Sequence, residues 1–148
     1  MKFRLLILAL SLSFSALAQD SRDAAFLAAR DGFRAGDRNK LERATAQLGN
    51  HELAPYAENY RLRMNMDQGD YAGLRDFFDR HEKSYVVEKL RADWIRWLGK
   101  RSNWNEIDSE FPKMIAPEPD VTCYSQQARL ARNDRSVLDE AEKLWLTQ

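Results

Sequence analysis

The stretch Gln68-Gly69-Asp70-Tyr71-Ala72-Gly73-Leu74 decides the fold, because three relatives of it stand at nearly even intervals along the chain. Its pivot, Asp70, is matched by Asp37, Asn103 and Asp134, so the steps between pivots are 33, 33 and 31 residues. A small or polar residue precedes each pivot (Gly36, Gly69, Ser102, Asn133), and an aliphatic one stands four places after it (Leu41, Leu74, Ile107, Leu138). Gly or Asn ends a helix in a left-handed conformation that other side chains resist. An Asp or Asn beside it caps the next helix by accepting a backbone N–H bond. Each copy therefore reads as the tight turn of an αα-hairpin, and a period of about 33 residues is that of helical solenoids. The expected fold is all-α, an α-solenoid of about four antiparallel helix pairs, superhelical with tetratricopeptide-like right-handed stacking.

Working outward from the elbows, the apolar spacing predicts eight helices. Phe26, Ala29 and Phe33 make one face of the first, which Gly36 ends, and Leu41, Ala44 and Leu48 make that of the second, which Gly49 stops. Pro55 suits the first turn of a third helix, along which Tyr56, Tyr60 and Met64 follow at intervals of four. Leu74, Phe77, Phe78 and His81 form the face of the fourth. The fifth helix, from about Tyr85 to Arg101, has the strongest pattern, with Leu90, Trp94, Trp97 and Leu98 on one side and Arg91, Asp93, Arg96 and Lys100 on the other. Trp104, Ile107 and Phe111 mark a shorter sixth that Pro112 terminates, and residues 112–121 read as a loop because they hold three of the four prolines. Tyr124, Gln127, Ala128 and Ala131 give the seventh a thin face, and Leu138, Ala141, Leu144 and Trp145 give the eighth a richer one. No alternating apolar run is long enough for a strand. Leu144, Trp145 and Leu146 stand in a row with nothing after them to cover them. A solenoid needs a polar terminal cap, so a parent that continues beyond Gln148, or a docked second chain, is the expectation.

The first residues carry an address. Met1-Lys2-Phe3-Arg4 is basic, residues 5–14 are apolar, and Ala16-Leu17-Ala18 places small residues at both recognition positions, the pattern of a secretory signal peptide. Its apolar core falls short of the ~20 residues that span a bilayer, so no stable membrane anchor is expected. Cleavage after Ala18 would leave residues 19–148 as a periplasmic helical-repeat domain. Losing Lys2 and Arg4 takes the 23 basic residues to 21 against 23 acidic, with no basic stripe, which argues against nucleic acid as a partner. Cys123 is the only cysteine. In an exported protein a lone Cys is either a small buried residue or a thiol whose partner lies outside the chain.

Catalytic constellations are scarce. His51 and His81 lie 30 positions apart, one in a turn and one on an apolar face, without the spacing that zinc requires. No nucleophile elbow, phosphate loop or paired-cysteine motif occurs. The carboxylates Asp108, Glu110, Asp139, Glu140 and Glu142 read as solvated helix faces, whereas a glycosidase needs an acid of raised pKa in a cleft. Trp94, Trp97, Trp104 and Trp145 could stack on sugar rings, but their helical spacing favours the core. No catalytic residue, metal ligand or cofactor site is assigned.

Four segments carry a family resemblance: Leu53-Ala54-Pro55-Tyr56 with Tyr60-Arg61; Leu90-Arg91 with Trp94, Leu98, Arg101 and Trp104; Cys123-Tyr124; and Ala141-Glu142-Lys143-Leu144-Trp145-Leu146-Thr147. From about residue 24 to the end the chain resembles the N-terminal superhelical U-domain of the soluble lytic murein transglycosylases, the closing segment being the most specific match. The resemblance implies a periplasmic parent enzyme that cleaves the MurNAc–GlcNAc bond of peptidoglycan, with one glutamate as acid and then base and a 1,6-anhydro product. That enzyme's Glu-Ser block has no counterpart here, so this chain would be a scaffold without catalytic residues, touching glycan strands or cell-wall proteins through its parent. The resemblance also implies that Cys123 is half of a disulfide with a following hairpin. The alternative is a free-standing periplasmic helical-repeat module that binds a protein or peptide. An independent enzyme has no constellation to carry it.

Overall fold

The computed structural model describes residues 21–69 and 71–146, so the expected signal peptide with its expected cleavage site, the pivot Asp70 and the last two residues lie outside the described residues. Among the described residues the protein is all-helical, with no strand. Helix α1 covers 21–35, followed by α2 (Arg38–Leu48), α3 (Ala54–Asn65), α4 (Tyr71–Arg80), α5 (Tyr85–Gly99), α6 (Trp104–Glu110), α7 (Pro119–Ala131) and α8 (Val137–Leu146). Short 3-10 turns, Met66–Gln68 and Phe111–Lys113, extend α3 and α6.

The elbows close as their sequence requires. Gly36, Gly69, Ser102 and Asn133 all have positive φ, at 69°, 79°, 55° and 67°. At three of them the same two hydrogen bonds recur: Gly36 N–H donates to Phe33 and Asp37 N–H to Gly32, Ser102 to Gly99 and Asn103 to Leu98, Asn133 to Leu130 and Asp134 to Arg129. This pair is the Schellman closure, which satisfies the last carbonyls of a helix and requires a left-handed residue. The Asp37 carboxylate then caps α2 by accepting from Lys40 N–H at 2.9 Å. Asn103 makes no such side-chain bond, so its contribution is to the closure alone.

The chain divides into two compact units at residues 70/71. In the N-terminal unit, α1, α2 and α3 share a core of Ala25, Ala29, Leu41, Ala44, Leu48 and Ala57. Phe33 and Tyr60 stack beside it with ring centroids 4.8 Å apart. A Cβ on Gly32 would lie 2.9 Å from Leu41 N, so α1 and α2 approach closely at this glycine. The fully buried residues of α3 are Ala57, Asn59 and Leu62; of the expected line, Tyr60 and Met64 pack half-buried against this core and Tyr56 is exposed.

In the C-terminal unit α5 is central, packing against α4, α6 and α7, and α7 in turn packs against α8. Ser84 caps α5. Leu90, Trp94, Ile95 and Leu98 are buried together with Leu74, Phe77, Ile107 and Val121 from the neighbouring helices. Tyr71, Trp94 and Trp97 form a ring cluster. Gly99 lets α7 in: a Cβ there would meet the Tyr124 ring at 2.1 Å.

Several expected details differ. Pro119 opens α7 instead of extending the loop, as a first-turn proline can. The buried face of α7 is Val121, Gln126 and Ala128; Gln127 and Ala131 are exposed. On α8 Val137 is buried, whereas Leu138, Trp145 and Leu146 are exposed. The cause is local. Helices α2 and α6 start one residue after their pivots, but the Asp134 carboxylate holds Ser136 through both N–H (3.1 Å) and Oγ (2.6 Å), so α8 starts three residues after its pivot. Two residues of delay turn a helix by about 200°, and the position four after the pivot then faces outward.

Candidate functional site

A cavity of about 630 Å³ in the C-terminal unit opens at the N-terminus of α5. Helix α4 supplies Arg75, Phe78 and Asp79 to its wall, and the 81–84 turn supplies Glu82, Lys83 and Ser84. Val87, Glu88 and Arg91 come from the first two turns of α5, and Glu110, Lys113 and Ile115 from the end of α6 and the loop behind it.

At its base lies an ion pair that the sequence reading placed in solvent. Glu110 is 2% and Arg91 5% exposed. Arg91 Nη1 donates to Glu110 Oε2, and Lys113 Nζ lies 2.7 Å from Oε1, so both carboxylate oxygens meet a cation. The Arg91 guanidinium also sits 4.2 Å over the Phe78 ring. Its Nε is buried with no hydrogen-bond partner. Higher on the wall, Glu88 Oε1 accepts from Ile115 N–H (3.0 Å) and Ala116 N–H (2.9 Å), pinning the loop to α5. Arg75 is held by Glu106. Lys83, with φ 63°, closes the turn.

Both buried groups had a signal in the sequence. Arg91 lies four after Val87 and three before Trp94, inside the apolar stripe, and Glu110 lies three after Ile107. Helical periodicity put them inside; their charge led the reading to put them outside.

Other charged groups are structural ties. Arg96 donates to both Asp120 oxygens (2.6 and 2.9 Å) and to Glu118, which also receives Lys89. Lys89 and then Arg96 hold Glu118 below its usual carboxylate range, and Arg96 does the same for Asp120. Ser136 and Arg129 lower Asp134, and Arg129 lowers Glu140. All four are pushed toward the anion, opposite to what a general acid at neutral pH requires. Asp108, half-buried, pairs with Arg132, while Asp139, Glu140 and Glu142 are exposed as expected.

Among the residues singled out from sequence, His51 is buried, with Nδ1 accepting from Leu53 N–H at 3.3 Å and Nε2 3.3 Å from Asp23. His81 sits just past α4 with its ring against Phe77. Cys123 has a free thiol, half-buried on α7, in a groove of about 160 Å³ walled by Leu130, Val137 and Leu138. Trp94 is buried, Trp97 and Trp104 are half-buried, and Trp145 is exposed, against the core reading for that one. Among the described residues, no three His, Cys, Asp or Glu side chains are grouped to hold a metal, and no helix is long and apolar enough to cross a membrane. Together these features define, among the described residues, an all-helical protein with a sizeable cleft at the start of α5. No family model, curated protein or solved structure matches the chain.

Proposed function

We propose that the chain is an exported, non-catalytic helical-hairpin scaffold that works by docking. This is the role implied by its resemblance to the superhelical segment of soluble lytic murein transglycosylases, whose parent enzymes cut peptidoglycan strands. The observation that carries the reading is the repeated elbow, with the same left-handed residue and the same pair of closing bonds at Gly36, Ser102 and Asn133. Contact of α5 with both α6 and α7 is what stacking one hairpin on the next requires. Charges locked in ion pairs, and the exposed Leu138, Trp145 and Leu146, suit a surface that docks.

The test is incubation of the purified chain with murein sacculi. Co-sedimentation without release of anhydro-muropeptides is the expected result, and release of such products by this chain alone would overturn the non-catalytic reading. The second reading, a free-standing periplasmic binding module, is favoured by the cleft beside Arg91. It predicts that the chain stays in the supernatant. Mass spectrometry of the periplasmic fraction tests export directly, with Gln19 as the expected first residue.

A further inference from the structure

We infer that the groove between α7 and α8 binds an extended, basic segment of a partner polypeptide, taking one large apolar side chain between the helices while the Gln126 amide holds the segment's backbone. The inference rests on the docking reading above and names the chemistry of what docks. Helical spacing builds the groove: Cys123, Gln126, Gln127 and Leu130 recur at three- and four-residue intervals along α7, and Val137, Leu138 and Ala141 line it from α8. Its volume is about 160 Å³. That is below the roughly 300–1,000 Å³ of sites that enclose a small molecule, and close to the roughly 150 Å³ of a cavity that accepts a benzene ring. One apolar side chain fits, and its owner needs further contacts to stay bound.

Gln126 supplies the first of those contacts. It is only 9% exposed, and among the described residues its side-chain amide has no hydrogen-bond partner. Arg91 Nε alone is both unpartnered and sealed from solvent. The Gln126 amide therefore keeps open surface, and the space it opens onto is the groove that it lines. Leaving such an amide unpaired is costly. A peptide group removes the cost with two bonds, because its N–H and C=O complement the carbonyl and NH2 of a glutamine. A helix pairs those backbone groups internally, so the bound segment is extended.

The lip of the groove sets the partner's charge. Asp139 and Glu142 follow Leu138 and Ala141 on α8, and both are exposed and free of ion pairs among the described residues. The cations around them are engaged: Arg129 pairs with Asp134 and Glu140, Arg132 pairs with Asp108, and Lys143 is not free. Arg135, in the turn before α8, is one unpaired cation against two unpaired acids. A segment with Lys or Arg on each side of its apolar residue complements this lip. Trp145, 80% exposed and seven residues after Leu138, extends the apolar surface along the same helix face. A second copy of the chain fits less well, since a two-fold contact sets the same patch against itself and brings the acids of one lip to those of the other.

The experiment is amide NMR on the full chain at constant ionic strength, titrated separately with three end-blocked tripeptides: phenylalanine between two lysines, alanine between two lysines, and phenylalanine between two glutamates. The first should shift the amides of residues 123–130 and 137–142 with a dissociation constant of about 1 mM. The other two should each bind about tenfold more weakly, one for want of the anchor and the other for its charge. Gln126→Leu keeps the bulk of the side chain and removes the amide, and should weaken the first peptide about three- to tenfold. Should that variant fail to fold, Leu138→Arg decides, because Leu138 is 47% exposed and a cation there repels the lysines while removing a wall of the groove. It should weaken binding about tenfold. The titration can fail while the chain still co-sediments with sacculi, so it judges this inference apart from the docking reading. Absence of shifts with the first peptide, equal binding of either comparison peptide, or binding unaltered in Gln126→Leu or in Leu138→Arg would each overturn the inference. So would shifts of the same amides on concentrating the chain alone, which would assign the groove to a second copy.

Discussion

The two units solve the same packing problem with different materials. In the N-terminal unit small residues let the helices close in: Ala25, Ala29, Ala44 and Ala57 are buried, and Gly32 brings the α2 backbone to within van der Waals distance of α1. In the C-terminal unit larger side chains such as Phe77, Leu90, Trp94 and Ile107 fill the core, and charges link neighbouring helices, from Arg75 to Glu106, Lys89 to Glu118, Arg96 to Asp120 and Arg132 to Asp108. In this C-terminal unit a cleft of several hundred Å³ has a buried ion pair at its base.

The sharpest way to break this contrast is to remove one carboxylate from each unit. Glu110→Ala strands Arg91 in the interior, and the expected loss is about 3–5 kcal/mol. Asp23→Ala removes the partner of His51, but that carboxylate is half exposed, so the loss should stay within about 1 kcal/mol. Urea unfolding of both variants measures the difference; similar losses would show that the two units depend on charge alike.

Equivalent elbow positions give the next test. Leu41 and Leu138 each stand four residues after a pivot, yet one is 1% and the other 47% exposed. Leu41→Ala should cost about 2–5 kcal/mol, and Leu138→Ala no more than about 0.5 kcal/mol. A large loss at Leu138 would mean that α8 is covered in solution. Between these in kind, Gly99→Ala pushes a methyl against the Tyr124 ring and should cost about 1–3 kcal/mol. Pairing it with Tyr124→Ala should recover part of that loss, which a thermal melt would read.

Those elbow positions also show what the sequence could and could not reveal. The closures at Gly36, Ser102 and Asn133 were legible because a left-handed residue and its capping bonds are local properties, set within six residues. Some helix limits followed, Gly49 after α2 and Tyr85 at the start of α5 among them, whereas α7 opens at Pro119 inside the expected loop. What a helix packs against is not local. Arg91 and Glu110 are inside because α5 is surrounded and α6 turns its Ile107 face to it, and neither fact is written in the charge of the residues. The outward turn of Leu138 was hidden for a different reason, since it hangs on one carboxylate choosing Ser136 as its partner and delaying α8. The cleft was illegible altogether, being a space between four segments and not a property of any one of them.

Acid offers the gentlest separation of the two units. Glu118 and Asp120 have folded pKa values below their ordinary 4.5 and 3.8, held there by Lys89 and Arg96. A carboxylate with a depressed folded pKa adds stability that is complete above its unfolded value and disappears as pH falls through the folded one. The contribution is therefore intact at neutral pH and lost below about pH 4. Both groups are largely solvated, so the effect is small and salt should mimic it. Hydrogen exchange followed by mass spectrometry resolves the units by peptide. As pH drops from 6 toward 3, after correction for intrinsic rates, protection over 85–99 should fall sooner than over 38–48. All four tryptophans lie in the C-terminal unit, so fluorescence gives an independent reading of the same transition. Parallel loss in both peptides would mean that the charged ties between α5 and α7 are ornaments on an apolar core, and that the cleft is kept open by packing alone.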